Sequence, residues 1–195
     1  MLAAGVVTAG AVVVFATTLA HATLFAPDSE IPAPALSAAA PSKDAPAGAL
    51  PVRLIVPTLS INANVQDVGI AYSGHIGVPD NFTDVAWYKY GAVPGYEGDA
   101  IIDGHVDNAI SLPGVFKQLA TIQPGADIYV QTASSTKLDF KVTSVETYDV
   151  TQVPMQQILS KTGGAYLTLI TCDGTWEQNQ KEYNERLVVS AQFAP

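Results

Sequence analysis

Cysteine, histidine and arginine are the side chains of this 195-residue sequence whose placement suggests covalent chemistry. The lone cysteine, Cys172, closes the run Tyr166-Leu167-Thr168-Leu169-Ile170-Thr171 and directly precedes Asp173-Gly174. A strand ending there would present the thiol at a rim, where its thiolate would be a nucleophile. A free cysteine is commonly a small, inert core residue, but in an exported chain an unpaired thiol risks oxidation and is worth weighing as reactive. His105 lies in Ile101-Ile102-Asp103-Gly104-His105-Val106-Asp107, again at a strand end, with a carboxylate two residues to either side. Its imidazole can give or take a proton near neutral pH, or it is an ordinary loop histidine. Asp103 and Asp107 would tune it, although solvated loop acids are the commoner outcome. Arg186 opens the run Arg186-Leu187-Val188-Val189-Ser190-Ala191. A guanidinium there can donate two hydrogen bonds to a developing oxyanion, or sit in water at a strand end. His75 and His21 have no comparable surroundings.

Other chemistries lack their residues. One Cys and three scattered His give no zinc-type spacing, the acidic residues form no ordered calcium string, and no glycine loop cradles phosphate. No metal and no cofactor are expected. The net charge of −9 supplies no basic stripe for nucleic acid, and a single cysteine excludes a disulfide scaffold.

The elements that must position these residues are β-strands. Short apolar or alternating runs occur at Arg53–Val56, Ala100–Ile102, Asp127–Thr132, Leu138–Val145, Tyr166–Thr171 and Arg186–Phe193. Turn-forming clusters such as Val78-Pro79-Asp80-Asn81 and Pro94-Gly95-Tyr96-Glu97-Gly98 separate them. Helical periodicity is weak, with a turn or two expected at Val115–Leu119 and at Val153–Ser160. The spacing predicts an all-β fold over residues 51–195, a closed barrel with short helices in its connections.

Two further segments precede it. Met1–Ala20 is uncharged and apolar, about the length that spans a ~30 Å hydrocarbon core. Ala20-His21-Ala22 offers a signal-peptidase site, yet the run is long for a signal-peptide core, which favours an uncleaved transmembrane anchor over residues 1–21. No Lys or Arg accompanies it to set an orientation. Residues 22–50 are rich in Ala, Pro and Ser, with Pro27, Pro32, Pro34, Pro41 and Pro46. Such composition makes a semi-rigid stalk.

Together these segments resemble a sortase, the cysteine transpeptidase that attaches proteins to the bacterial cell wall. Thr168-Leu169-Ile170-Thr171-Cys172 has every fixed position of the family's Thr-Leu-any-Thr-Cys signature. Gly104-His105-Val106-Asp107 is similar to its histidine motif, and Arg186 follows the cysteine by 14 residues, where the family's arginine stands. Trp87-Tyr88, Gly91, Pro94-Gly95, Gly98, Val115-Phe116 and Leu119 look most like the class F branch. The resemblance covers about Leu54 to Ala191 and departs from the pattern in lacking a basic cytoplasmic tail.

The resemblance implies an eight-stranded barrel, anchored to the cell membrane by a single pass, with its catalytic domain extracytoplasmic. It implies that Cys172 attacks the Thr–Gly carbonyl of a Leu-Pro-any-Thr-Gly-like sorting signal, that His105 protonates the leaving amine, and that Arg186 steadies the oxyanion. Thr171 would help bind the sorting signal. The implied partners are sorting-signal-bearing surface proteins and an amine of peptidoglycan or of a pilin. Two other readings are a papain-like cell-wall peptidase, whose cysteine usually precedes its histidine and opens a helix, and an anchored non-enzymatic module with Cys172 merely packed.

Overall fold

Alternation of inward apolar and outward polar residues favours short strands, and eight of them close on one another. The computed structural model describes residues 45–195 except 73 and 108–111. The strands are β1 (Pro51–Val56), β2 (Ile61–Val68), β3 (Val85–Tyr88), β4 (Gly98–Asp103), β5 (Asp127–Thr132), β6 (Lys137–Asp149), β7 (Ala165–Glu177) and β8 (Glu182–Phe193). They form a closed barrel in the order β1-β2-β3-β4-β7-β8-β6-β5, with β5 pairing back onto β1. A five-residue helix, α1 (Met155–Leu159), and 3-10 turns at Ala47–Ala49, Pro57–Leu59 and Leu119–Thr121 occupy connections. The expected all-β closed barrel of eight strands with short connecting helices is therefore the architecture found.

Two strands escape the sequence reading. In β2, Asn62, Asn64 and Gln66 alternate with Ile61, Ala63 and Val65, and amide side chains are poor strand formers in isolation. They are held from outside: Arg53 of β1 donates to Asn62 and Asn64 at 2.9 Å each, and Gln66 donates to Asp80 and Asp84. Strand β3 is four residues long and buried throughout, too short to show a period.

Most of the expected strands run longer than the sequence indicated, and β7 and β8 do so at the site. β7 continues five residues past Cys172, and β8 begins four before Arg186. Asp173-Gly174 has the composition of a turn but sits at a register shift within the ladder, with Gly174 at φ +81°. Glycine there permits the bulge, because a side chain would meet Asn184 Oδ1 and Glu185.

The barrel interior is filled by residues such as Leu54, Trp87, Ile102, Phe140, Leu169 and Val189. A second apolar layer lies outside, where Ile101, Ile170 and Val188 are covered by Ile76 and by Met155 and Ile158 of α1. The centre of the β4–β7–β8 sheet is thus buried on both faces. Each fully buried large side chain is worth roughly 1.5–3 kcal/mol.

Residues 45–50 seat on the barrel: Ala133 N–H donates to Leu50 O, and Ser134 N–H to Gly48 O, at 2.9 Å each. Among the described residues no helix is long and apolar enough to cross a membrane. The expected anchor and the stalk up to residue 44 lie outside the described residues.

Candidate active site

Topology brings Cys172, His105 and Arg186 to one end of the barrel. β4 and β7 are parallel neighbours, so their C-terminal ends lie together, and antiparallel β8 starts there. Asp103, the last residue of β4, pairs with Ile170; His105 therefore follows β4 at about the level of Cys172. Cys172 faces Arg186 directly across the β7–β8 ladder, a position at which Cβ atoms are about 4.5–5.5 Å apart. Alternation puts Cys172, Arg186 and Asp103 on the outer face with Ile170, Val188 and Ile101.

Each side chain is held by identifiable contacts. His105 Nε2–H donates to Pro79 O at 2.8 Å, and its ring lies 5.3 Å from that of Phe82. The His105 backbone carbonyl accepts from Phe116 N–H at 2.9 Å. Gly114 makes this crossing possible, since a Cβ there would collide with the His105 carbonyl. On the other side, Thr171 points toward the interior and its hydroxyl donates to Gly104 O at 2.7 Å. Thr171 thus ties β7 to the residue before His105.

Arg186 is 1% exposed, not a solvated strand end. Its Nη1 donates to the carbonyls of Tyr183 and Glu185 at 2.8 and 3.0 Å, and Nη2 lies 3.5 Å from Glu182 Oε2. Its Nε–H is buried with no hydrogen-bond partner. Leaving a buried donor unmatched costs about 1–3 kcal/mol, a cost that an acceptor arriving on substrate would relieve.

The two aspartates are not solvated loop acids. Asp103 is 4% exposed, and burial pushes its carboxyl up to about 8, against the opposing pull of the Arg186 charge and the Gly104 N–H. Burial thus favours the neutral form of Asp103, and the carboxylate that faces the Arg186 guanidinium is Glu182. Asp107 accepts from Tyr183 Oη–H at 2.6 Å and from Lys117 Nζ at 2.9 Å. Among the described residues no group of His, Cys, Asp and Glu is gathered as a metal site.

A model of the sortase domain matches residues 54–194. The chain belongs to the sortase family. Solved structures agree on the fold: sortase A from Corynebacterium diphtheriae aligns with a TM-score of 0.57 and 18% identity, covering 75% of this chain and 61% of that one. Sortase C from Streptococcus pneumoniae gives 0.57 and 18%, covering 73% and 65%, and sortase C from Clostridium perfringens SM101 gives 0.55 and 16%, covering 73% and 68%. The chain thus spans less than two thirds of the first two structures. No curated protein sequence matches it significantly.

In this sortase-family barrel the candidate groups are enclosed: Cys172 is 6% exposed and His105 4%. Ile76, Met155 and Ile158 cover Ile101, Ile170 and Val188 on the same outer face. The α1 segment is fastened further along by Lys161, whose Nζ lies 2.9 Å from buried Asp99, itself bonded to Thr168. The residue that sequence reading missed is Tyr183. Its ring stacks edge-on against Trp176 across the hairpin at 5.4 Å, and two aromatics flanking a polar turn are the signal that pointed to it.

Proposed function

We propose that this chain is a cysteine transpeptidase that cleaves a Leu-Pro-any-Thr-Gly-like sorting signal between Thr and Gly. The observation that carries the reading is the register that sets Cys172 directly opposite Arg186, with His105 following the parallel neighbour β4. The Cys172 thiolate adds to the Thr carbonyl, and the electron pair displaced onto oxygen is received by Arg186, whose Nε–H lacks a partner. Collapse expels the Gly amine, protonated by His105, and leaves an acyl thioester. An incoming amine gives its proton to His105, adds to the thioester and releases the thiolate.

The acceptor is an amine of peptidoglycan or of a pilin, and the donors are sorting-signal-bearing surface proteins. Thr171 serves sorting-signal binding indirectly, through the Gly104 carbonyl that it holds beside His105. The chain is anchored by its first 21 residues with the barrel extracytoplasmic, and the residues between Trp87 and Leu119 favour class F. A papain-like peptidase is disfavoured because Cys172 lies within a strand, not at a helix start. A merely structural module gives no reason to bury Arg186 with an unmatched donor.

The test is intact mass after mixing the protein with a sorting-signal peptide. The acyl fragment adds to the wild-type mass and is absent from Cys172→Ala. An adduct that persists in the variant eliminates the assignment.

A further inference from the structure

Cys172 and Arg186 share one hairpin, so the β7–β8 ladder alone fixes their relation. His105 does not belong to that hairpin. It lies beyond the end of β4, and its distance from the thiol depends on contacts between its loop and the hairpin. Before His105, the loop is tied to β7 by Gly104 N–H on Ile170 O at 3.3 Å and by the Thr171 hydroxyl on Gly104 O. After it, the tie is the Tyr183 hydroxyl on Asp107 Oδ1 at 2.6 Å, with Lys117 holding the other carboxylate oxygen.

Tyr183 also reaches Arg186. Its backbone carbonyl accepts from Arg186 Nη1 at 2.8 Å. The ring is braced from behind by Trp176. One residue therefore holds the arginine through its backbone carbonyl and the loop that carries the histidine through its hydroxyl. The hydroxyl of tyrosine is needed for this and the ring is not sufficient, because a phenyl edge cannot donate to a carboxylate.

We infer that Tyr183 is a positioning residue for this reaction: by holding Asp107 it clasps the His105 loop to the strand pair that bears Cys172 and Arg186. The inference rests on the transpeptidase reading above. Small displacements of a proton donor from the reacting bond are costly, about 10²-fold for ~1 Å. Loss of the clasp should therefore slow turnover and leave peptide affinity in place.

The experiment compares Tyr183→Phe, Asp107→Ala and their double variant with wild type in the full chain. Tyr183→Phe removes the hydroxyl and keeps both ring and carbonyl. We expect kcat to fall about 10-fold with KM for the sorting-signal peptide changed less than about twofold. The double variant should be no slower than Asp107→Ala alone, because both changes break one bond. Amide exchange at Gly114 and Phe116, which donate to the carbonyls of Val106 and His105, should quicken in Tyr183→Phe while exchange in the middle of β8 stays unchanged. Wild-type kcat in Tyr183→Phe, a rise in KM alone, or fully additive effects in the double variant would each overturn the clasp. If the wild-type chain forms no Cys172 adduct, the transpeptidase reading fails instead, and amide exchange then decides whether the clasp holds the loop.

Discussion

At the scale of single residues, the site combines a buried cation with a buried carboxyl whose pKa burial raises. Asp103 pairs with Ile170 and shares the outer face with Cys172 and Arg186. Its carboxyl is raised from 3.8 to about 8 because burial penalises the charged form more than Arg186 favours it. Between those values the unfolded chain has released a proton that the folded chain retains, so stability falls as pH rises. The contribution is complete below about 3.8 and is lost as pH climbs through about 8, with a slope of at most about 1.4 kcal/mol per pH unit. Asp103→Asn is nearly isosteric and cannot ionise. Relative to wild type, the variant should therefore gain stability progressively from about pH 4 to about pH 8 in urea titrations. Parallel pH dependences of the two proteins would mean that Asp103 is ionised in the fold.

At the scale of elements, α1 and the β2–β3 connection turn an open sheet face into a covered one. Met155 and Ile158 from α1 and Ile76 from the connection lie over Ile101, Ile170 and Val188. Cys172, 6% exposed, lies on the same outer face two residues beyond Ile170. Ile158 is 5% exposed, so Ile158→Ala should cost about 2–4 kcal/mol through lost burial and the cavity left behind. It should also speed alkylation of Cys172 by iodoacetamide in the folded protein, since it thins the cover. An alkylation rate equal to wild type, measured where urea melts show the variant folded, would show that α1 does not limit access. The Lys161–Asp99 pair, with Asp99 fully buried, holds the same segment at the far end. Any opening is therefore expected to hinge between Lys161 and the site.

At the scale of the whole molecule, the net charge of −9 produces a field that gathers cations around the barrel. A protonated amine acceptor should be concentrated by it, and the effect should fade as the Debye length shrinks from ~10 Å at 0.1 M salt to ~3 Å at 1 M. We expect KM for a cationic amine to rise about two- to fivefold over that range, while an uncharged nucleophile such as hydroxylamine is little affected. Equal salt dependence for both would show that surface charge plays no part in acceptor capture. The sequence alone determined the β-rich class, the nucleophile, base and cation candidates and the order of their motifs, because short-range alternation and residue type are local properties. It did not determine that Cys172 lies in mid-strand opposite Arg186, since Asp173-Gly174 has the local chemistry of a turn and acts as a bulge only within the ladder. Nor did it determine that Asp103 is buried, or that Tyr183 meets Asp107 from 76 residues away. Burial and long-range pairing depend on which strands become neighbours, and the parallel β4–β7 pairing that joins these segments exists only once the barrel has closed.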